Sequence, residues 1–246
     1  MKAIILAAGV GRRLNQSRPV PKCLLRFGGQ TLIQRHLEAL AKAGVANVTV
    51  CVGYESNQVI SELTRVTQPR VLTLHNPQYD RGSILSLWVA RKTLLSGDDI
   101  LLMDADVLYH PDILPALIEN PFPTCLLLDQ NFEQGDEPVK ICLNDGLIVE
   151  FHKQIAPELQ YNLVGESVGF FKFNAMTSLR LATLVAGYVA NGRGDDPHEE
   201  ALRDLILSHS NEVGIADITG KAWIEIDFPE DIQRAKEMIL PQVDGY

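Results

Sequence analysis

Three aspartates and two cations set out the chemistry this sequence can support. Asp104 and Asp106 close the apolar run Ile100-Leu101-Leu102-Met103, and Asp227 follows Glu225-Ile226 near the C-terminus. A short apolar run of that kind reads as a buried strand, and open α/β sheets bind their ligands at the carboxyl ends of the strands. Side chains two apart on a strand leave on the same side, so both carboxylates of the pair are expected to face one ligand. Hard oxygens suit magnesium, which takes one or two carboxylates together with substrate phosphates. Ending the strand and capping the next turn is the competing role. For Asp104 the two roles stand level; for Asp106 and Asp227 the ligand role is preferred.

A metal of that kind needs a phosphate cradle opposite it, and the N-terminus supplies one. Leu6-Ala7-Ala8-Gly9-Val10-Gly11-Arg12-Arg13-Leu14 is continued by Pro21-Lys22. Small residues let the backbone approach a nucleotide, and glycines allow successive N–H groups to converge on one concavity. Arg13 and Lys22 add charge-assisted hydrogen bonds. Neither GK[ST] nor GxGxxG is present, so this is not a Walker loop or a dinucleotide fingerprint. The plainer alternative is a tight turn with solvated arginines. The loop's position directly after the first strand, with both cations behind it, favours phosphate binding.

The elements that must position these groups can be read from hydrophobic spacing. Residues 2–6 read as a buried strand. Residues 31–43 have helical spacing, with Thr31 as cap and Gly44 as stop. Residues 48–52, 71–74 and 100–103 are further strands, with helical stretches over 56–66 and 85–94. Short apolar strands alternating with helices predict a parallel sheet of βαβ units. The rhythm then changes. After a strand over 124–128, residues 139–143 and 147–151 flank Asn144-Asp145-Gly146, a strong hairpin signal. A strand over 168–173, helices over 176–190 and 197–209, a strand over 224–226 and a helix opened by Pro229 complete the chain. The expected fold class is α/β: a single domain on a mostly parallel sheet flanked by helices, with the phosphate loop in its first half, residues 1–130. Residues 131–246 form a smaller acceptor-binding half that contains the hairpin.

Bulk properties narrow the partners. The chain has 246 residues and is 46% hydrophobic, enough for a sizeable core. Its net charge of -9 comes with no basic stripe, which argues against nucleic acid. The four cysteines, Cys23, Cys51, Cys125 and Cys142, are too dispersed for a metal knuckle or a disulfide framework and read as buried thiols. No stretch approaches membrane-spanning length, so the expectation is a cytoplasmic protein. The six histidines are scattered and read as packed or solvated.

The order of Lys2 to Leu14, Pro21-Lys22, Val52-Gly53-Tyr54, Asp104-Ala105-Asp106 and Ile226-Asp227 closely resembles the nucleotidyltransferase family that activates sugar and alcohol phosphates. That family opens LAAGxGxRL…PK on a Rossmann-like fold, and the resemblance spans nearly the whole chain. Ser86-Leu87, Gly165-Glu166-Ser167 and Glu225-Ile226-Asp227 look most like its phosphocholine cytidylyltransferase branch, which is similar to enzymes using inositol phosphate or aminoethylphosphonate. The resemblance implies a magnesium-dependent transfer of CMP from CTP to a small phosphorylated or phosphonylated acceptor, with release of pyrophosphate.

Residue by residue, the resemblance implies that Asp106 and Asp227 ligate the metal, with Asp104 a water-mediated or structural neighbour. Arg13 and Lys22 would act on the triphosphate, and Leu6, Ala7, Ala8, Gly9, Gly11 and Gly53 would bind the nucleotide. Ser83 sits where related cytidylyltransferases often carry Asn; base contact and helix cap are equal alternatives there. Lys153 resembles a phosphate-binding lysine, and Glu166 and Glu199 match acceptor positions. The acidic lobe suits a cationic acceptor such as phosphocholine or aminoethylphosphonate. Asp195 and Asp196 read rather as helix caps, and Trp88 and Trp223 as core. Two other readings stay open: a sugar-1-phosphate nucleotidyltransferase using GTP, UTP or dTTP, and a non-catalytic nucleotide-binding regulator. A homodimer is compatible with all of them.

Overall fold

The computed structural model describes residues 1–14, 20–133 and 135–244; residues 15–19 of the phosphate-type loop therefore lie outside the described residues. β1 (Lys2–Ala7) is buried on both faces, as a central strand of a parallel sheet must be. Its alternation feeds two cores, with Ala3, Ile5 and Ala7 on one side of the sheet and Ile4 on the other. A single 3-10 turn at Lys22–Leu24 leads into the two-residue strands β2 (Arg26–Phe27) and β3 (Gln30–Thr31). Helix α1 (Leu32–Lys42) begins at a capping box in which Thr31 and Gln34 satisfy each other's backbone N–H groups. It ends before Gly44, whose φ of 79° is left-handed.

β4 (Asn47–Val52), α2 (Ser56–Leu63) and β5 (Arg70–His75) follow. The helical stretch expected over 85–94 is two short helices, α3 (Ile84–Val89) and α4 (Arg91–Leu94). At their junction the Arg91 guanidinium stacks on Trp88 and donates to the Trp88 carbonyl, an acceptor the helical ladder would otherwise use. β6 (Ile100–Asp104) ends on Asp104, and Asp106 lies in the bend that follows it. β6, β1, β4 and β5 lie side by side and parallel, as the sequence leads one to expect.

Besides the two-residue β2 and β3, three more elements have no counterpart in the sequence reading: β7 (Val107–Tyr109), α5 (Ile113–Ile118) and, later, β12 (Val213–Asp217). Each is short, and its identity depends on a distant partner. β8 (Thr124–Asp129) is followed by the hairpin β9 (Lys140–Asn144) and β10 (Leu147–His152), turning at Asp145 and Gly146, both with positive φ. β11 (Leu163–Phe173) is longer than expected, because its first residues pair with β9 before its last ones pair antiparallel with β6. Along its other edge it pairs with β8, to which β12 is parallel.

Gly165 makes that close pairing possible: a Cβ there would overlap the Leu128 side chain and the Asp129 carbonyl. Helices α6 (Ala175–Ala190) and α7 (His198–Ser208) cover one face of the sheet, while α1, α2 and α5 cover the other. β13 (Trp223–Glu225) pairs with β7, and α8 (Pro229–Arg234) starts the helical C-terminus. No helix among the described residues is long and apolar enough to cross a membrane.

Candidate active site

β1 ends at the floor of a cleft. Leu6, Ala7, Ala8, Gly9 and Gly11 line it together with Tyr79, Arg81, Ser83 and Ser86. Ala7 and Ala8 are nearly fully buried, while the space beside Gly9 is open, so a ligand can rest against bare backbone there. Gly11 adopts φ 61° and accepts a turn hydrogen bond from the Leu14 N–H. Gly53, expected to line this site, stands behind it. Its missing side chain lets Tyr79 pack against the Ala8 backbone, and the Tyr54 N–H occupies the Ala8 carbonyl. Its part here is to allow that close approach.

At the end of the cleft Asp106, Glu225 and Asp227 place one oxygen each within 4.8 Å of one another. The bend after β6 presents Asp106. Antiparallel pairing of β13 with β7 brings the distant 225–227 segment beside it, fixed by the Ile226 N–H on the Asp106 carbonyl at 3.0 Å. Three hard oxygen donors at this spacing fit a magnesium ion. Lys22 Nζ lies 2.9 Å from Asp106 Oδ2 and 2.5 Å from Asp227 Oδ1. Burial alone would lower its pKa, but those two carboxylates outweigh that and hold the ammonium charged. Arg13 reaches the same cluster from the solvent side, 3.5 Å from Asp227 and 2.9 Å from Glu137, stacked over Phe228. Glu225 lines the cleft with its side chain exposed to solvent. Loss of surrounding water and the charges of Asp106, Asp227 and Asp104 push its carboxyl well above the usual range.

Beyond this cluster a second cleft opens, lined by Asp129, Glu133, Glu137 and Glu166 with the aromatic rings of Trp223 and Phe228. Glu166 faces charges of both signs there, Asp129 and Glu133 against Lys140 and Arg234. Burial, then the Asp129 carboxylate beside it, pushes its pKa up to about 7. Asp129 accepts from Trp223 Nε1 at 2.8 Å. Trp223 thus lines a cleft as well as packing against the core, where the sequence suggested core alone. Lys153 lies 3.2 Å from Glu137, and Glu199 also feels its charge. It therefore stands between the two clefts.

Glu199 is not with Glu166. It begins α7 in the first cleft and pairs with His198, whose Nδ1 is 2.9 Å away. His198 is 4% exposed. Its Nδ1 also lies 3.0 Å from Ser83 Oγ, and its backbone N–H donates to that same oxygen at 2.8 Å. Burial would lower the imidazole pKa, yet Glu199 and Asp104 raise it to about 9. Burial would raise Glu199, and the imidazolium instead holds it at about 2. Asp104, 3.7 Å from His198 Nε2, is pushed up to about 7, by burial first and then by Glu199 and Asp106. Gly169, with φ 77°, packs directly on its carboxyl.

Ser83 makes no side-chain cap bond to α3, so the capping alternative is corrected: its hydroxyl anchors α7 instead. Arg81 and Asp195 add an ion pair at 2.7 Å across the same seam. Asp195 and Asp196 do not cap α7 either; Pro197 holds the N-cap position without a side-chain bond. Glu137, His198 and the ligand-range carboxylate of Glu225 are site residues that sequence reading missed as such. Only Glu225 left a signal there, two positions before Asp227.

The open parallel sheet, the backbone-walled cleft at the end of its first strand and the carboxylate cluster facing it define a nucleotidyltransferase. The chain belongs to the MobA-like NTP transferase family, whose domain matches residues 3–159. It is 28% identical to the bifunctional IPC transferase and DIPP synthase of Rubrobacter xylanophilus, over 97% of this chain and 52% of that protein. The chain thus spans about half the length of that relative. The CTP:phosphoglutamine cytidylyltransferase of Campylobacter jejuni is 23% identical, over 95% of this chain and 98% of its own. The inositol-1-phosphate CTP transferase from T. maritima shares the fold with a TM-score of 0.80 at 21% identity, covering 99% of this chain and 96% of that one.

Proposed function

We propose that this protein transfers CMP from CTP to a small phosphate or phosphonate whose other end is cationic, releasing pyrophosphate in a magnesium-dependent reaction. The observation that carries this reading is the meeting of two unlike clefts at Asp106, Glu225 and Asp227. The first sets bare backbone, Lys22 and Arg81 beside Asp104 and the ion pair of His198 and Glu199. The second is lined mainly by carboxylates and aromatic rings, with Arg234 among them. The nucleotide belongs in the first, its triphosphate along Gly9 and Gly11 towards Lys22 and Arg13. The acceptor belongs in the second, its cationic end against Glu166 and Asp129 and its anionic end towards Lys153. Relatives named for CTP and small phosphorylated compounds support cytidine as the base.

The chemistry asks little covalent work of the protein. An acceptor phosphate oxygen, already ionised at neutral pH, bonds to the α-phosphorus as the bond from that phosphorus to the bridging oxygen breaks. Pyrophosphate leaves with the electron pair. Holding the two reactants in line is the larger contribution. Lys22 and Arg13 neutralise charge that grows on the leaving group. Asp106, Glu225 and Asp227 would hold magnesium, which when bound screens the phosphate oxygens. A pyrophosphate-release assay tests the reading, pairing each nucleoside triphosphate with phosphocholine, aminoethylphosphonate, inositol 1-phosphate and hexose 1-phosphates. Turnover is expected with CTP and a cationic acceptor. Preference for another triphosphate with a hexose 1-phosphate would replace it with sugar activation, and no release with any pair would leave a regulator.

A further inference from the structure

Lys22 occupies an unexpected place for a residue assigned to the triphosphate. Its ammonium does not point along the glycine loop; it is seated between Asp106 and Asp227, two of the three carboxylates that fit a divalent ion. We infer that Lys22 is a built-in stand-in for the metal: it holds the carboxylate cluster together in the resting protein, and a divalent ion binds well only once Lys22 has moved onto the nucleotide. This rests on the reading above that Asp106, Glu225 and Asp227 are the metal site.

Three features of the site support it. Carboxylates this close repel one another, and the ammonium relieves that repulsion with two short hydrogen bonds. Magnesium draws its ligand oxygens to about 2.0–2.1 Å, so the ion and the ammonium would compete for the same two oxygens at a spacing neither charge tolerates. Lys22 also has somewhere else to go. It projects from a single 3-10 turn on a flexible stem, in the cleft that Gly9 and Gly11 line. A triphosphate in that cleft offers it new anionic partners. Nucleotide and metal then assist one another through the displacement of one side chain, and linkage makes that assistance reciprocal.

The test uses Mn²⁺ alone, with no nucleotide or acceptor, and reads the free ion by its electron paramagnetic resonance signal. Nucleotide-free Lys22→Met is expected to bind Mn²⁺ about tenfold tighter than wild type or more. Arg13→Gln also deletes one positive charge beside Asp227, but Arg13 does not sit between the carboxylates and is half exposed. It should tighten binding by less than about fivefold. Adding Asp227→Asn to Lys22→Met should abolish the gain, which places the ion at this cluster. Equal Mn²⁺ affinity in wild type and Lys22→Met overturns the proposal, and so does an equal gain from Arg13→Gln, which would mark a general charge effect. The first of these outcomes leaves CMP transfer standing, because no substrate enters the measurement.

A second measurement needs no variant. In the wild-type protein, labelling of Lys22 by an amine-specific reagent, followed by mass spectrometry, should rise over the Mn²⁺ range in which the ion binds. Unchanged labelling across that range would equally overturn the displacement.

Discussion

The two clefts that meet at Asp106, Glu225 and Asp227 are built by opposite means. The first cleft, where we place the nucleotide, uses small residues at the end of β1, with no charged side chain along Leu6 to Gly11. The acceptor wall is made of side chains, mainly carboxylates, carried by antiparallel strands and by the segment after β8. A triphosphate carries its own charge and needs converging N–H groups and two mobile cations. A small acceptor must be told from its neighbours by one or two groups, which takes fixed side-chain charge. If the proposed function holds, selectivity belongs to the second half of the chain and chemistry to the seam.

The seam gives the largest expected effect. Asp106→Ala or Asp227→Ala should lower kcat by roughly 10³-fold or more, since each removes charge from the transition state. The melting temperature should move little, because neither side chain packs in the core. Asp104→Ala should be milder in turnover, since its carboxyl faces His198 and Gly169. Steady-state pyrophosphate release with a parallel thermal melt checks all three. Near-normal rates in either of the first two would remove these carboxylates from the chemistry.

A smaller effect distinguishes the two sides. Lys22→Ala should lower kcat by about 10²-fold and raise the KM for CTP, since a contact that strengthens as pyrophosphate leaves acts on both. Arg13→Ala should do the same more weakly, because half its surface is in solvent and Glu137 shares it. Initial rates at varied CTP and varied acceptor separate the outcomes. If only the acceptor KM rises, these cations belong to the other cleft.

The same division explains what could be read from the sequence. β1, β4 and β6 were legible because buried parallel strands read as near-continuous apolar runs. β5, an edge strand largely open to solvent, showed through Val71, Leu72 and Leu74, and the glycine loop and Asp104-Ala105-Asp106 are contiguous motifs. α1 announced itself through Thr31 and Gly44. β12 was not legible, since Val213 to Asp217 becomes a strand only by lying parallel to β8, far away in the chain. His198 and Glu137 were missed for the same reason. Nothing local in the sequence says that Ser83 will anchor α7 from 115 residues away, or that Glu137 will join Arg13 to Lys153. Backbone sites leave motifs; side-chain sites assembled by tertiary contacts do not.

On the acceptor side, Glu166→Gln should cost a cationic acceptor about 10- to 100-fold in kcat/KM, the span of about 1.5–3 kcal/mol for hydrogen bonds to charged groups. The KM for CTP should stay unchanged. Added salt should erode the wild-type preference, because part of the attraction is unspecific charge. An equal loss with inositol 1-phosphate would show that Glu166 supports the cleft without reading its charge.

The smallest effect concerns His198 and Glu199, an ion pair at the start of α7, and it is read in stability. His198 has its pKa raised to about 9 from an ordinary 6.5, so the folded state keeps a proton that the unfolded chain gives up. The stability this provides is complete below 6.5 and is lost as pH rises through about 9. Glu199, held at about 2, contributes above its ordinary range and loses its share only in strong acid. Asp104, raised to about 7, works the other way for a carboxylate and has spent its effect by that pH. The four buried thiols, pushed up to about 11 or 12, withdraw stability only above the ordinary thiol range. Glu166, raised to about 7, and Glu225, raised well above its ordinary range, withdraw stability in the same direction as pH rises. His198 therefore shares the window from about pH 7 to about 9, and comparison with His198→Gln isolates its part. Melting temperature should fall across that window in wild type and stay flatter in the variant. Parallel curves would mean that His198 is neutral in the folded protein. Glu199 would then be an unpaired carboxylate facing the first cleft, free to meet a cationic acceptor there, and the division between a backbone-walled nucleotide side and a carboxylate-walled acceptor side would fail.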